Sequence, residues 1–399
     1  MGSNWNRCYA IVAILVGVLA IPSGAETLVT SKVIYGNDDR IDVYQESDPD
    51  ILAWAGSTCA LVSASNLTDN GDGTFTLRTS NFTYLGRTPC EGEPFATQPT
   101  APFCSGFLAG ENIIATAGHC VNSGNLPNVR FVFGFVMTDA SNAVTLLNAD
   151  QVYRGSAVLG YQNSGDFDYS VVQLDRVVTA PGACPLPIRR EGTVPLGTNI
   201  GVIGHPSGLP MKIAFGAQTV VKANSNTGYF IANLDTYGGN SGSPVFNAAT
   251  GVVEGVLVRG ERDYNIVGSC FESNRISNDS GGEDISKSTT FDEFIPDTIP
   301  ACRQVEAPHT ADLDGNGKIE LSELLRLIQL YNASAYHCDE TQEDGFALGL
   351  GDTGCVAHDS DYITVDFAIE LSELLRGVQL YNAGSYAACK DGEDGFCAT

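Results

Sequence analysis

Three segments of the chain carry side chains that together could attack a carbonyl. CSGFLAGENIIATAGHC, Cys104 to Cys120, places His119 beside a cysteine. DFDYSVVQLD sets Asp168 at the head of an apolar strand, and DTYGGNSGSPVFN holds Ser241 in a turn bracketed by Gly239 and Gly242. A serine hydroxyl is a poor nucleophile until an imidazole takes its proton. The imidazole in turn needs a buried carboxylate to fix its tautomer. His119, Asp168 and Ser241 supply these three types. The paired glycines let the backbone turn tightly, so the N–H groups of Gly239 and Ser241 are the expected donors to a developing oxyanion. Asp166 and Asp175 compete for the aspartate role but fall before and at the end of the strand. His205, in IGHPSG, reads as a loop residue, and Ser243 lacks the upstream glycine pair.

Those residues need a scaffold that brings distant segments together. From about residue 33 to 299, short apolar runs alternate with Gly, Asn, Ser and Pro, and helical periodicity is almost absent. Many short strands at regular spacing predict an all-β sandwich or barrel. The runs Val129–Met137, Tyr169–Leu174, Asn199–Ile203, Ile213–Val221, Tyr229–Leu234 and Val252–Val258 are the expected strands, and 276–290 reads as a polar surface loop. A cysteine spacing of 16 lets Cys104 and Cys120 staple the loop that carries His119.

The N-terminus places this scaffold in an exported chain. Arg7 precedes an apolar run from Ala10 to Ile21 and small residues before Ala25. That pattern is a secretory signal, residues 1–25, too short to span a bilayer. Residues 26–32 then read as a propeptide ending at Lys32. Twelve cysteines suit an oxidising compartment. Loss of Cys8 with the signal leaves 11, so at least one is unpaired within the chain. A net charge of -26 excludes a phosphate-backbone binder, and no later segment is apolar enough for a membrane span.

Pro296, Pro300 and Pro308 mark a linker, assigned to 300–311, and composition changes beyond it. From Cys302 onward there are 18 Asp and Glu against 5 Lys and Arg, half of the net charge. IELSELLR occurs at Ile319–Arg326 and again at Ile369–Arg376, followed each time by QLYNA and EDGF, at an offset of 50. Such identity in register indicates a duplication, 312–399. Leu321, Leu324, Leu325 and Ile328 fall at helical spacing, so each copy predicts one amphipathic helix. DLDGNGKIELSE fits a Ca2+ loop: Asp312, Asp314 and Asn316 at positions 1, 3 and 5, Gly317 for the turn, the Lys318 carbonyl, Glu320, and Glu323 as the bidentate ligand. The second copy aligns at Tyr362 with Phe367 in the glycine position. There Asp359, Asp361, Asp366 and Glu373 form either a longer calcium loop or a structural pseudo-loop. Cys338, Cys355, Cys389 and Cys397 are expected to form two bridges.

TAGHC, the strand-initial aspartate and GGNSGSPVF resemble the trypsin/chymotrypsin superfamily, whose order His, Asp, Ser they share. VIYGNDDR, with Asn240 before the serine, is similar to the bacterial glutamyl endopeptidase branch. The resemblance covers about Val33 to Ile299 and implies a chymotrypsin-type double six-stranded β-barrel. It also implies a substrate pocket at Asp235, Thr236, Leu257 and Arg259, with Thr236 helping to hold a substrate carboxylate. Leu257 stands where that branch has a histidine; Arg259 is either its replacement or a solvated rim charge, the latter favoured. The C-terminal copies resemble dockerin-like paired calcium repeats, which attach exported enzymes to a scaffold or cell surface.

The expectation is therefore a secreted serine endopeptidase acting on proteins or peptides with a glutamate preference. It carries a Ca2+-binding attachment module and needs no cofactor for catalysis. The alternative is a catalytically idle barrel serving as a calcium-organised surface binding protein.

Overall fold

The computed structural model describes residues 33–297 and 309–398, apart from 340, 343 and 389–391. The signal segment, the propeptide and most of the linker lie outside the described residues, as do Cys8, Cys302 and Cys389.

Six antiparallel strands close the first barrel, in the order Ile113–Thr116, Phe167–Leu174, Val152–Ser164, Val129–Phe133, Thr58–Ser63 and Cys104–Gly110. Closure leaves no unpaired edge. Leu61, Phe107, Ile114, Phe131 and Val172 fill the interior without solvent exposure. Each such side chain contributes about 1.5–3 kcal/mol relative to an exposed one. Register carries this packing to the site: Thr116 pairs with Ser170. His119, three residues beyond Thr116, and Asp168, two before Ser170, therefore leave the barrel at the same end.

The second sheet has eight strands, in the order Val221–Ala223, Tyr229–Ala232, Glu283–Lys287, Val253–Arg259, Pro244–Asn247, Ile200–Gly204, Lys212–Ala214 and Arg40–Asp42. The all-β double-barrel architecture is thus as expected, but this half has more than six strands and its hydrogen bonds do not close it. Val202, Phe230, Val245, Leu257 and Ile285 form its core. The polar stretch 276–290 is not merely a surface loop, because Glu283–Lys287 is an interior strand pairing with Tyr229–Ala232 and Val253–Arg259. Its polar side chains are satisfied in place: Ser286 Oγ donates to the Asp168 carbonyl (2.8 Å) and Lys287 Nζ to Asn224 O (3.0 Å).

Residues 309–398 contain two helices, Leu321–Ala333 and Leu371–Ala383, each followed by a two-stranded hairpin. Each helix starts where a glutamate (Glu323 or Glu373) accepts the N–H three residues earlier. Each ends in a left-handed residue, Ser334 or Gly384. The buried faces are shifted from expectation. Leu324, Leu327 and Leu330 are inside, whereas Leu321 and Leu325, at the solvent side of the first turns, stay exposed. Leu327 fills a notch at Gly377, its counterpart in the second copy, where an added Cβ would lie 2.3 Å from Leu327 Cδ2. His309 and Thr310, assigned by sequence to the linker, belong physically to this unit. The His309 ring is fully buried against Phe396, and Thr310 N–H donates to Asp359.

Disulfides join Cys90 to Cys270, Cys104 to Cys120 and Cys338 to Cys355; Cys184 and Cys397 are bonded as well. Among the described residues Cys59 is free and buried, and burial pushes its thiol well above the usual range.

Candidate active site

Asp168 grips His119 twice. One carboxylate oxygen accepts the His119 backbone N–H (3.0 Å), and the other lies 2.8 Å from Nδ1. Asp168 is 5% exposed, while the His119 side chain keeps a quarter of its surface open. With Nδ1–H donated to a buried carboxylate, Nε2 is left as the acceptor, which is the tautomer a general base needs. The Cys104–Cys120 bridge anchors the turn, as its spacing predicts. Because these cysteines are bonded to each other, their closeness to His119 is not a metal site.

Ser241 lies against this turn. Its carbonyl accepts from Ser105 N (2.8 Å) and sits 3.6 Å from the Cys120 sulphur, one residue from His119. Its hydroxyl lies 3.4 Å from the Val258 carbonyl. Gly239 and Gly242 have φ of +95° and +88°, where L side chains are disfavoured. A Cβ on Gly239 would also lie 2.6 Å from His205 O, and one on Gly242 2.1 Å from Ser105 O. The carbonyls of Gly238 and Asn240 are taken by Ser207 N and Ser243 N, respectively. In a trans peptide the N–H points opposite to the C=O. Both carbonyls being held inward, the Gly239 and Ser241 N–H groups are turned to the other side, and together they can face one oxygen.

Sequence reasoning missed the residues behind this turn. Ser105 Oγ donates to Gly239 O (2.9 Å) and accepts from His205 N (3.0 Å). His205 lies in a loop, as expected, but is fully buried, stacked on Phe135, with Nδ1 3.0 Å from Leu209 O. Burial pushes its pKa down to about 3, so it is neutral. Ser105 sits inside the CSGF segment, and its place there was the available signal.

The expected pocket residues are used differently from the expectation. Leu257 is fully buried in the second core and lines no pocket, because the strand register turns it inward beside Ile285. Asp235 accepts the N–H groups of Tyr35 (2.7 Å) and Asp39 (2.8 Å), so it latches the segment that begins at Val33. Burial raises its pKa to about 7 despite those bonds. Thr236 Oγ1 donates to Glu283 Oε2 (3.0 Å). Arg259 is not a free cation: its Nε lies 2.7 Å from Asp284 and its guanidinium covers Tyr229, while its side chain stays partly exposed.

In the repeats, oxygens of Asp312, Asp314 and Glu323 lie within 4.8 Å of one another. Backbone donors hold them: Asn316 and Gly317 N–H to Asp312, Leu313 N–H to Glu323. Asn316 Oδ1 accepts from Lys318 N (2.9 Å), and Glu320 N donates to Glu323. Three carboxylates converging on oxygen-rich backbone form the donor set a hard cation takes. The second loop starts at Asp361, not Tyr362, and is one residue longer before Phe367, whose φ is +62°. Its frame is nevertheless the same, with Asp366 and Phe367 N–H to Asp361 and Ile363 N–H to Glu373. Asp359 faces away from it, accepting from Thr310. Each hairpin braces the other copy's loop: Tyr386 OH donates to Asp312 and Tyr336 OH to Asp361.

Residues 104–256 match the model of the trypsin-like peptidase domain. Among solved structures, a Glu endopeptidase in complex with MPD is 18% identical, covering 66% of this chain and 97% of its own, with a TM-score of 0.37. Human heparin binding protein is 15% identical, covering 62% and 92%, with the same TM-score. No curated protein matches the chain. The matched segment contains His119, Asp168 and Ser241 and spans both sheets of the all-β fold. No described helix is long and apolar enough to cross a membrane.

Proposed function

We propose that the protein is a secreted serine endopeptidase in which His119, Asp168 and Ser241 form the catalytic triad. The observation that carries this is the two-point hold of Asp168 on His119 at the same barrel end as the Ser241 turn. His119 removes the Ser241 proton as the hydroxyl attacks a peptide carbonyl, and the N–H groups of Gly239 and Ser241 stabilise the oxyanion. His119 then protonates the departing amine, leaving an acyl-enzyme that water hydrolyses by the reverse roles. Loss of one oxyanion donor costs about 2.7–4 kcal/mol in related chemistry.

Residues 1–25 act as signal and 26–32 as propeptide in this reading. The repeats bind Ca2+ through Asp312, Asp314, Asn316, the Lys318 carbonyl, Glu320 and Glu323, and attach the enzyme to a scaffold or cell surface. Bound there, the ion supplies structural cross-linking rather than chemistry. The glutamate preference implied by resemblance is not supported by charge: Arg259 is paired and Thr236 already holds a carboxylate. Labelling by a fluorophosphonate tests the assignment. Wild type should react at Ser241, and Ser241→Ala should not. An unreactive serine in processed protein would remove the endopeptidase reading.

A further inference from the structure

Glu283 is an interior carboxylate that neither the triad nor the calcium loop uses. It is fully buried in the interior strand Glu283–Lys287. Oε2 accepts from the Thr236 hydroxyl (3.0 Å), and Oε1 from Tyr35 OH (3.2 Å) and Glu261 N (3.3 Å). A methyl placed on Gly260 would lie 1.9 Å from Oε2, so the absence of a side chain at Gly260 is what admits this carboxylate. Thr236 stands five residues before Ser241, and Gly260 two residues beyond Val258, whose carbonyl touches the Ser241 hydroxyl. Two residues of strand span about 6.6 Å. Glu283 is thus set back from the nucleophile by roughly the length of a lysine or arginine side chain, between the segment entering the serine turn and the strand leaving it.

Resting on the endopeptidase reading, we propose that Glu283 is the specificity-determining residue and selects a lysine or arginine on the acyl side of the scissile bond. A cation there meets a carboxylate already oriented by three hydrogen bonds, whereas a glutamate meets a like charge and a threonine hydroxyl already engaged. Asp235, one residue before Thr236, adds a second carboxyl to the same neighbourhood. The chain contains a matching substrate of its own. Lys32 precedes Val33, whose carbonyl accepts from Thr236 N (3.2 Å), and Tyr35 contacts both Asp235 and Glu283. On this proposal the peptide bond after Lys32 is itself a substrate, cut in one molecule by another.

The test is cleavage of a mixed peptide library by the processed full-length enzyme, with rates per fluorophosphonate-titrated site. Cleavage should fall after Lys and Arg, and the Ser241→Ala precursor should be trimmed by active enzyme to a new N-terminus at Val33. Glu283→Gln should lower kcat/KM for lysyl substrates by on the order of 10²-fold or more, relative to its rate on substrates with a small apolar residue there. Glu283→Asp should recover part of that loss. A titratable wild-type enzyme that cleaves after Glu or after small residues overturns the inference without touching the endopeptidase reading. So does a Glu283→Gln enzyme with undiminished lysine preference. Absence of any labelled Ser241 would instead bring down both.

Discussion

The two units of this chain assemble their working residues in opposite ways. In residues 33–297, His119 and Asp168, 49 residues apart, meet because strand register brings both to one end of a barrel, and Ser241 is held against the same turn by Ser105 and Cys120. In 309–398 each loop is closed by residues near in sequence, Asp312 with Glu323 and Asp361 with Glu373, and the long-range element is reciprocal bracing by the other copy. Loop-closure entropy weighs on the first plan far more than on the second. Both units carry disulfides, the first at the histidine turn and the second between Cys338 and Cys355, but only the second adds the bracing of one copy by the other. Damage should then stay within the unit where it is made.

The largest expected separation is catalytic. His119→Ala should lower kcat by about 10⁴- to 10⁶-fold, because triad members act together. The calcium-dependent melting of the repeats should be unmoved, and a parallel loss there would mean that the units are coupled. Replacing both Cys104 and Cys120 by serine should cost about 3 kcal/mol in the chain-entropy model, read as a lowered denaturant midpoint of the protease unit alone.

Calcium acts on the other side of the comparison. At a hundredfold excess over Kd it should stabilise the repeats by about 2.7 kcal/mol, with small-substrate turnover unchanged in EDTA. Calorimetry and a chromogenic assay on the same sample measure both, and a large activity loss in EDTA would erase the distinction. Gly377→Leu, which restores the first copy's residue, should cost about 1–3 kcal/mol by overpacking against Leu327. It should shift only the calcium-sensitive transition.

A pH dependence acts within the protease unit. Burial lowers the folded-state pKa of His205 to about 3. The unfolded chain therefore binds the proton first, and the stability present above pH 6.5 is lost as pH falls towards 3. The slope is at most about 1.4 kcal/mol per pH unit. His205→Gln should flatten that slope in the protease transition during an acid titration of melting.

Legibility followed the same division. The proposed catalytic residues stand out in the sequence because they sit in segments whose neighbours are dictated by backbone: glycines at +95° and +88° around Ser241, and a cysteine beside His119. Glu283–Lys287 does not, because only Ile285 in that strand is apolar and the polar residues find partners inside the protein rather than in water. Neither period nor hydrophobicity marks such a strand. Leu257 was misplaced for a related reason. A resemblance aligns positions, but strand register decides which face a side chain takes. The second loop was legible only as two alternatives, because helix identity anchors the alignment downstream of an insertion; its frame is the longer one, running from Asp361.

The unequal pair Leu327 and Gly377 has an implication for how the repeats arose. Two identical copies would oppose leucine with leucine across their shared axis, where only one fits. Divergence at this position makes each copy the other's obligatory counterpart: neither half can complete itself with a second molecule of its own kind as well as it does with its neighbour in the chain. Unlike copies are thereby the better match, and the repeat unit is built as a pair of non-identical halves.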